Sequence, residues 1–248
     1  MNGNPEAHPV DLSIVLPVHN EEDNLEPLMQ EIEQAVRPLG RTFEVICVDD
    51  RSTDRSLAVL DRLCRTRPFL RVVRHRINSG ESAGHATGFA HARGELVVTM
   101  DADQQNDPAD IPALIAALAP DVAAVCGVRR RREDDWVRRL SSRLANGYRN
   151  AVTGDRVSDA GCTFRVLRRA ALGEVPVFNG MHRFLPTILR YQGYRVIELP
   201  VNHRPRTRGQ SKYGVGNRLW RGLRDCMAMR WYRTRCVPGD RIARSPET

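Results

Sequence analysis

The chain has 248 residues, 41% of them hydrophobic, which is enough for one large domain with a substantial core. Its six cysteines form no C-x-x-C pair, so neither a zinc site nor a disulfide framework is indicated, and reduced thiols in a cytosolic protein fit best. An apolar signal region and an uninterrupted apolar span of about 20 residues are both missing, so no transmembrane helix is predicted. The net charge of +8 is concentrated in the C-terminal half, which predicts an anionic partner such as phosphate, a membrane surface or nucleic acid.

The first half of the chain alternates between short apolar runs and amphipathic helices. Strands are predicted at Leu12–Pro17, Phe43–Asp50, Phe69–His75, Glu95–Asp103 and Asp121–Val128. Helices are predicted after a cap at Asn20, within Ser52–Arg65, over Ser82–Ala92 and from Pro108. Alternation of this kind, with short connections, predicts a mostly parallel α/β sheet.

The pattern changes after Arg129. A basic helix over Trp136–Val152, a strand at Cys162–Arg168, a helix at Met181–Gly193 and a strand at Tyr194–Arg204 are predicted. One domain is expected over 10–214, an amphipathic helix over 215–235, and disorder in 1–9 and 237–248. The last helix carries a stripe of apolar residues among arginines, which fits either packing on the domain or binding to a membrane surface. The stripe consists of Leu219, Leu223, Met227 and Trp231.

Polar and acidic residues follow three of the predicted strands, in the segments "PVHNEE", "VDDRSTD" and "MDADQQ". In open parallel sheets, ligands bind beyond the carboxyl ends of the strands. Asp101, Asp103 and Gln105 could converge on a hard divalent cation, although D-x-D alone also fits a capped turn. The sequence lacks G-x-G-x-x-G after the first strand and lacks a Walker A motif, which argues against a nicotinamide dehydrogenase and a P-loop NTPase.

Four segments carry a family resemblance. They read "SIVLPVHNEEDNL", "VICVDDRSTDRS", "RINSGESAGHATGFAHARGELVVTMDADQQNDP" and "RTRGQSKYG". Together they resemble the inverting family 2 glycosyltransferases of GT-A fold, and more narrowly the polyprenyl-phosphate sugar transferases such as dolichyl-phosphate mannose synthase. The resemblance runs from about Leu12 to Gly214. It implies a Rossmann-like, mostly parallel sheet flanked by helices, followed by a basic acceptor region.

The resemblance also implies roles on the donor side. Mg²⁺ or Mn²⁺ and the donor phosphates would be bound by Asp101, Asp103 and Gln105. The pocket for a nucleotide-sugar, GDP- or UDP-linked, would be lined by Pro17, Glu21, Asp50, Asn78 and Gly80. A cation at this place would neutralise the charge that develops on the departing diphosphate. The residues alone also fit an Asx turn at Asp50 and close helix–strand packing around Gly80.

On the acceptor side, Arg129, Arg138 and Ser142 lie where the family binds an acceptor phosphate. Arg138 and Ser142 are four residues apart and share one helical face, although an arginine-rich face can simply be solvated. A phosphate monoester is already an anion near neutral pH and can attack the anomeric carbon itself, so no dedicated base is required.

The loop "HRPRTRGQSKYG" contains Lys212, the only lysine of the chain. A compact ammonium suits a phosphate oxygen where a guanidinium would not fit. The family's G-x-S-K pattern matches this loop through Ser211 and Lys212, and Arg206 lies where the family has a phosphate-contacting arginine. The loop could close over the donor as a lid.

These observations predict an inverting transfer of one sugar to a polyprenyl phosphate by a peripheral protein at the cytoplasmic face of the membrane, next to lipid or a membrane-protein partner. Mannose from GDP-mannose is the first hypothesis, and glucose, a uronic acid, an aminoarabinose or a non-lipid acceptor are alternatives. A nucleic-acid-binding protein, which the pI of 9.7 would allow, is the other class considered. The chain has no zinc finger, RRM or basic zipper signature, so nucleic acid is not the expected partner.

Overall fold

The computed structural model describes residues 9–130, 136–205 and 216–237, with the backbone alone at 136–144 and 216–221. The strands are β1 (Leu12–Val18), β2 (Phe43–Asp49), β3 (Leu70–Arg74), β4 (Leu96–Thr99), β5 (Val122–Arg129), β6 (Arg165–Arg168) and β7 (Arg195–Val201). The α-helices are α1 (Leu25–Val36), α2 (Ser56–Thr66), α3 (Glu81–His91), α4 (Ile111–Ala116), α5 (Trp136–Thr153), α6 (Met181–Tyr191) and α7 (Gly216–Arg235).

The described strands form one seven-stranded sheet in the order β3-β2-β1-β4-β6-β5-β7. Neighbouring strands are parallel except at β6, which runs antiparallel to β4 and β5. The predicted mostly parallel α/β sheet is therefore confirmed. Because β6 is reversed, Arg165 at its start pairs with Thr99 at the end of β4.

Helices cover both faces of the sheet, which explains why its central strands are continuous apolar runs rather than alternating ones. On one face, α1 buries the five apolar residues predicted for it, Leu25, Leu28, Met29, Ile32 and Val36. The opposite face packs against α3, α6 and the domain-facing side of α7. The core thus lies on both sides of β1, β2 and β4.

Two glycines let α3 lie directly on β1. A Cβ atom at Gly88 would come 2.1 Å from Cγ1 of Val15, and one at Gly84 would come 2.9 Å from Cβ of Pro17. No larger side chain fits at Gly88 without moving the helix. This close approach brings the N-terminus of α3 to the carboxyl end of β1, where the candidate site lies.

Two local predictions were wrong. Helix α1 begins at Leu25, so Asn20 does not cap it. Asn20 instead has a φ of 57°, and its Oδ1 accepts a 2.7 Å hydrogen bond from the backbone N–H of Thr53, joining the loops after β1 and β2. Strand β4 ends at Thr99 and not at Asp103, because the following residues turn back and Asn106 Oδ1 accepts a hydrogen bond from the backbone of Asp101.

The C-terminal helix exposes the second half of its predicted apolar stripe. Met227 and Trp231 are 55% and 64% exposed and Leu223 is half-buried, whereas Cys226 and Met229, which lie outside the stripe, are buried. The side chain of Leu219 lies outside the described residues, so packing on the domain accounts for Cys226 and Met229 but not for Met227 and Trp231. Every helix within the described residues is too short or too polar to cross a membrane.

Candidate functional site

Asp50 organises the loop that leads into α3. It follows β2 directly, and its backbone N–H donates to the carbonyl of Val18 at the end of β1. Its carboxylate accepts hydrogen bonds from the backbone N–H groups of Ser79 and Gly80, both at 2.7 Å, and lies 2.8 Å from Nδ1 of His75. Burial opposes ionisation, but these hydrogen bonds outweigh it and lower the pKa of Asp50. The predicted nucleotide residue is therefore an ionised carboxylate beneath the N-terminus of α3.

The other predicted nucleotide residues surround the same loop. Pro17 packs against Gly84, and the side-chain nitrogen of Asn78 lies 3.4 Å from the backbone carbonyl of Asp50. Glu21 is buried and accepts a 2.7 Å hydrogen bond from the side chain of Asn24. Gly80 has a φ of 85°, a conformation that suits glycine, as it turns the chain into α3. The structure thus places these residues at the carboxyl edge of β1 and β2.

The predicted metal residues lie at the same edge, in the tight turn after β4. Gln104 has a φ of 60°, and Oδ1 of Asp103 accepts a 3.1 Å hydrogen bond from the backbone N–H of Gln105. The side-chain nitrogen of Gln105 lies 3.4 Å from both Nε2 of His203 and the carbonyl of Arg204. This amide therefore faces the segment after β7, which precedes the predicted lid.

The electrostatics of this turn fit a divalent cation. Burial, together with the negative charges of Glu81 and Asp103, raises the pKa of Asp101 to about 8. A cation would relieve this repulsion between carboxylates. Within the described part of the chain, no three His, Cys, Asp or Glu side chains are arranged to hold a metal ion on their own. Two carboxylates completed by substrate phosphates and water match the way Mg²⁺ is commonly bound.

The acceptor-side predictions are described only in part. Arg129 donates from Nε and Nη2 to the two carboxylate oxygens of Asp159, at 2.6 and 2.7 Å, and both side chains are largely buried. Arg138 and Ser142 lie in α5, but their side chains are outside the described residues. The loop residues Arg206, Gly209, Ser211 and Lys212 also lie outside them.

Some residues at this edge were missed by sequence reasoning. They are one residue that directly follows β3 and one residue each of α3, β6 and α6: His75, Glu81, Arg165 and His182. Only Glu81 had a local signal in the sequence, because it lies between Gly80, a predicted nucleotide residue, and the start of the predicted helix at Ser82. His182 meets the site through a contact with Ser82, 100 residues away, for which the sequence offers no local pattern.

The sheet order and the acidic groups gathered beyond β1, β2 and β4 define a GT-A glycosyltransferase fold. The model of the family described as "Glycosyl transferase family 2" matches residues 13–175, and the chain belongs to that family.

Two curated relatives are similar to most of this chain. They are the undecaprenyl-phosphate 4-deoxy-4-formamido-L-arabinose transferases of Edwardsiella ictaluri (strain 93-146) and Sodalis glossinidius (strain morsitans), 38% and 36% identical over 206 residues. The match covers 82% of this chain and 63% of each relative, so the aligned part spans less than two thirds of their length.

Solved structures share the fold. A mannosyltransferase from Pyrobaculum calidifontis in complex with GDP-Man and Mn²⁺ is 24% identical with a TM-score of 0.63, covering 95% of this chain and 65% of that one. Glucosyl-3-phosphoglycerate synthase from Mycobacterium tuberculosis, in complex with Mn²⁺, UDP and phosphoglyceric acid, is 19% identical with a TM-score of 0.68, covering 93% and 80%.

Proposed function

We propose that this chain is a metal-dependent glycosyltransferase that moves one sugar from a nucleotide-sugar to a polyprenyl phosphate with inversion. One observation carries the proposal: the Asp50 loop and the Asp101–Asp103 turn lie at the same edge of the sheet. The Asp50 loop suits a nucleoside, and the Asp101–Asp103 turn suits a cation-bound diphosphate. Membership of family 2 and the printed activities of the two curated relatives support the same class of reaction.

For the sugar, we favour 4-deoxy-4-formamido-L-arabinose or a close aminoarabinose. Both curated relatives carry that sugar in their names, at 36–38% identity. Mannose from GDP-mannose, the first hypothesis from the loop pattern, is supported only by a structural neighbour at 24% identity, which speaks to the fold alone. The aminoarabinose alternative therefore replaces mannose as the leading candidate.

The site residues have distinct roles in this proposal. Asp50, with Pro17, Glu21, Asn78 and Gly80, would hold the nucleoside. Asp101 and Asp103, with Gln105 nearby, would hold Mg²⁺ or Mn²⁺. A bound cation supplies Lewis-acid neutralisation of the departing diphosphate. The acceptor phosphate needs no base, because it is already an anion when it reaches the anomeric carbon.

Arginines would orient the acceptor. A guanidinium has five N–H donors, and among the described residues Arg129 uses two of them on Asp159, which leaves others that could meet a phosphate. We assign Arg138 and Ser142 of α5 to the same phosphate. We assign Arg206, Ser211 and Lys212 to the donor phosphates and to closure of the loop.

A lipid acceptor requires contact with a membrane. The exposed Met227 and Trp231 of α7 are accompanied by exposed Arg224, Arg230 and Arg235. Apolar side chains among arginines fit peripheral binding to an anionic membrane surface, at the cytoplasmic face, or to a membrane-protein partner.

The test is a donor screen with the purified full chain, Mn²⁺ or Mg²⁺, and undecaprenyl phosphate in detergent. The donors are UDP-activated 4-deoxy-4-formamido-L-arabinose, UDP-glucose, UDP-glucuronic acid and GDP-mannose, and the glycolipid is detected by mass spectrometry. We expect a formamido-arabinosyl lipid. Transfer of mannose alone would overturn the assigned sugar, and the absence of transfer from every donor would overturn the function.

A further inference from the structure

Glu81, Ser82 and His182 form a chain of polar contacts between α3 and α6. Ser82 Oγ accepts a 2.9 Å hydrogen bond from the backbone N–H of Gly180 and lies 2.8 Å from Nδ1 of His182. Nε2 of His182 lies 3.4 Å from Oε2 of Glu81. A carboxylate only accepts, so the proton of the neutral imidazole belongs on Nε2, and Nδ1 accepts from the Ser82 hydroxyl. One arrangement of protons satisfies all of these contacts.

Glu81 lies between the two halves of the donor site. The residue before it, Gly80, donates its backbone N–H to Asp50 on the nucleoside side. On the other side, the charge of Glu81 contributes to the raised pKa of Asp101. In a bound nucleotide-sugar, the sugar is attached to the diphosphate that the metal would hold. A carboxylate whose charge acts on Asp101 is therefore close to the place where the sugar would lie.

The carboxylate of Glu81 is partly open to a ligand. Its side chain is 36% exposed, whereas those of His182 and His85 behind it are 13% and 2% exposed. Within the described residues, neither ring nitrogen of His85 has a hydrogen-bond partner, and its Nε2 stops 3.8 Å from Oε1 of Glu81. Among the described residues, Oε1 therefore keeps acceptor capacity that a ligand can use.

The group also stays ionised. Burial opposes ionisation, but the neighbouring His85 and the positive charge of Arg165 outweigh it and hold the pKa of Glu81 below its usual range. Its position in the first turn of α3 favours the negative charge as well. Such a carboxylate accepts hydrogen bonds from sugar hydroxyls or from an amide N–H, and it would repel a carboxylated sugar.

We propose that Glu81 is a specificity-determining residue that receives hydrogen bonds from hydroxyl or amide N–H groups of the donor sugar, held in place by His182 and Ser82. This inference rests on the proposed function. It goes further by naming the residue that selects neutral, hydrogen-bond-donating sugars over uronic acids. The alternative role for Glu81 is a purely structural tie between α3 and α6.

The experiment distinguishes the contribution of the sugar to binding from that of the nucleotide. Isothermal titration in saturating Mn²⁺ compares the full chain with its Glu81→Gln variant, using UDP and UDP-activated 4-deoxy-4-formamido-L-arabinose, with GDP and GDP-mannose as a second pair. Loss of hydrogen bonds to a charged group predicts that Glu81→Gln binds the nucleotide-sugar about 10- to 100-fold more weakly. Binding of the free nucleoside diphosphate should change by less than about twofold, because only the sugar contact is lost. The matched control is Glu95→Gln, whose side chain is 78% exposed and precedes β4 at the opposite edge.

Equal weakening of both ligands would show that Glu81 shapes the whole site, and unchanged binding of both would show no sugar contact; either result overturns the inference while leaving the proposed function intact. If Glu81→Gln does not fold, Glu81→Asp keeps the charge and withdraws the oxygens, and the same selective loss is expected. A wild-type chain that binds none of these ligands would overturn the proposed function and this inference with it.

Discussion

Asp155 joins α5 to α6 through buried hydrogen bonds, and its removal should destabilise the protein strongly. Its carboxylate accepts from Thr187 Oγ1 at 2.6 Å and from Arg190 Nη1 at 2.8 Å, and its side chain is only 4% exposed. Thr187 in turn accepts a 2.6 Å hydrogen bond from the buried Arg149. Breaking a buried pair by removing one partner costs about 3–5 kcal/mol. Because Arg190 keeps 24% of its side chain exposed, we expect Asp155→Ala to cost about 2–4 kcal/mol.

Urea denaturation followed by circular dichroism measures this loss. The matched control is Asp121→Ala, which removes an ion pair with Arg195 in which both side chains are more than half exposed, and which should leave stability nearly unchanged. Because α5 carries Arg138 and Ser142, we also expect Asp155→Ala to raise the KM for undecaprenyl phosphate more than that for the nucleotide-sugar. If the two variants unfold at the same urea concentration, the contacts of Asp155 do not stabilise the protein as we reason.

Three further outcomes are expected. Gly88→Ala should cost about 1–3 kcal/mol in thermal or urea denaturation because its Cβ would meet Val15, whereas Gly147→Ala, with open space around it, should be neutral or stabilising. Burial lowers the pKa of His182 to about 4, so as pH falls from about 6.5 to 4 the unfolded chain gains a proton at this residue before the folded chain does. The stability of the wild type relative to His182→Asn, measured by urea denaturation at each pH, should therefore fall by about 3 kcal/mol over that window. Asp103→Ala should abolish transfer with little change in melting temperature. Excess chelator should also abolish transfer by the wild type, and full activity in chelator would refute the metal assignment.

Much of the fold was predictable because each element had a local pattern. The apolar face of α1 and the buried runs of β1, β2 and β5 follow directly from residue spacing, and the short connections imply parallel strands. The placement of the site at the carboxyl edge followed from those strands. The orientation of β6 could not be predicted in this way, because a strand of four residues has no pattern that fixes its direction.

Contacts between distant segments could not be predicted from local pattern. Asn20 has the residue type of a helix cap, yet it holds the loop of Thr53, 33 residues away. His182 looked like part of an ordinary helix start, and it faces Glu81 only because α3 and α6 pack on the same side of the sheet. In both cases the sequence shows which hydrogen bonds the side chain can form, but its partner is determined by the tertiary structure.

Asp50 shows how this limits a functional assignment. The sequence could place a carboxylate at the nucleotide edge, but a carboxylate has about four acceptor positions. His75 and Ser79 contact one oxygen and Gly80 the other, so three of those positions serve the protein itself. Asp50 can therefore offer a nucleotide about one further hydrogen bond. In the proposed function, recognition of the base and ribose therefore depends on the loop that Asp50 holds in shape as well as on Asp50 itself.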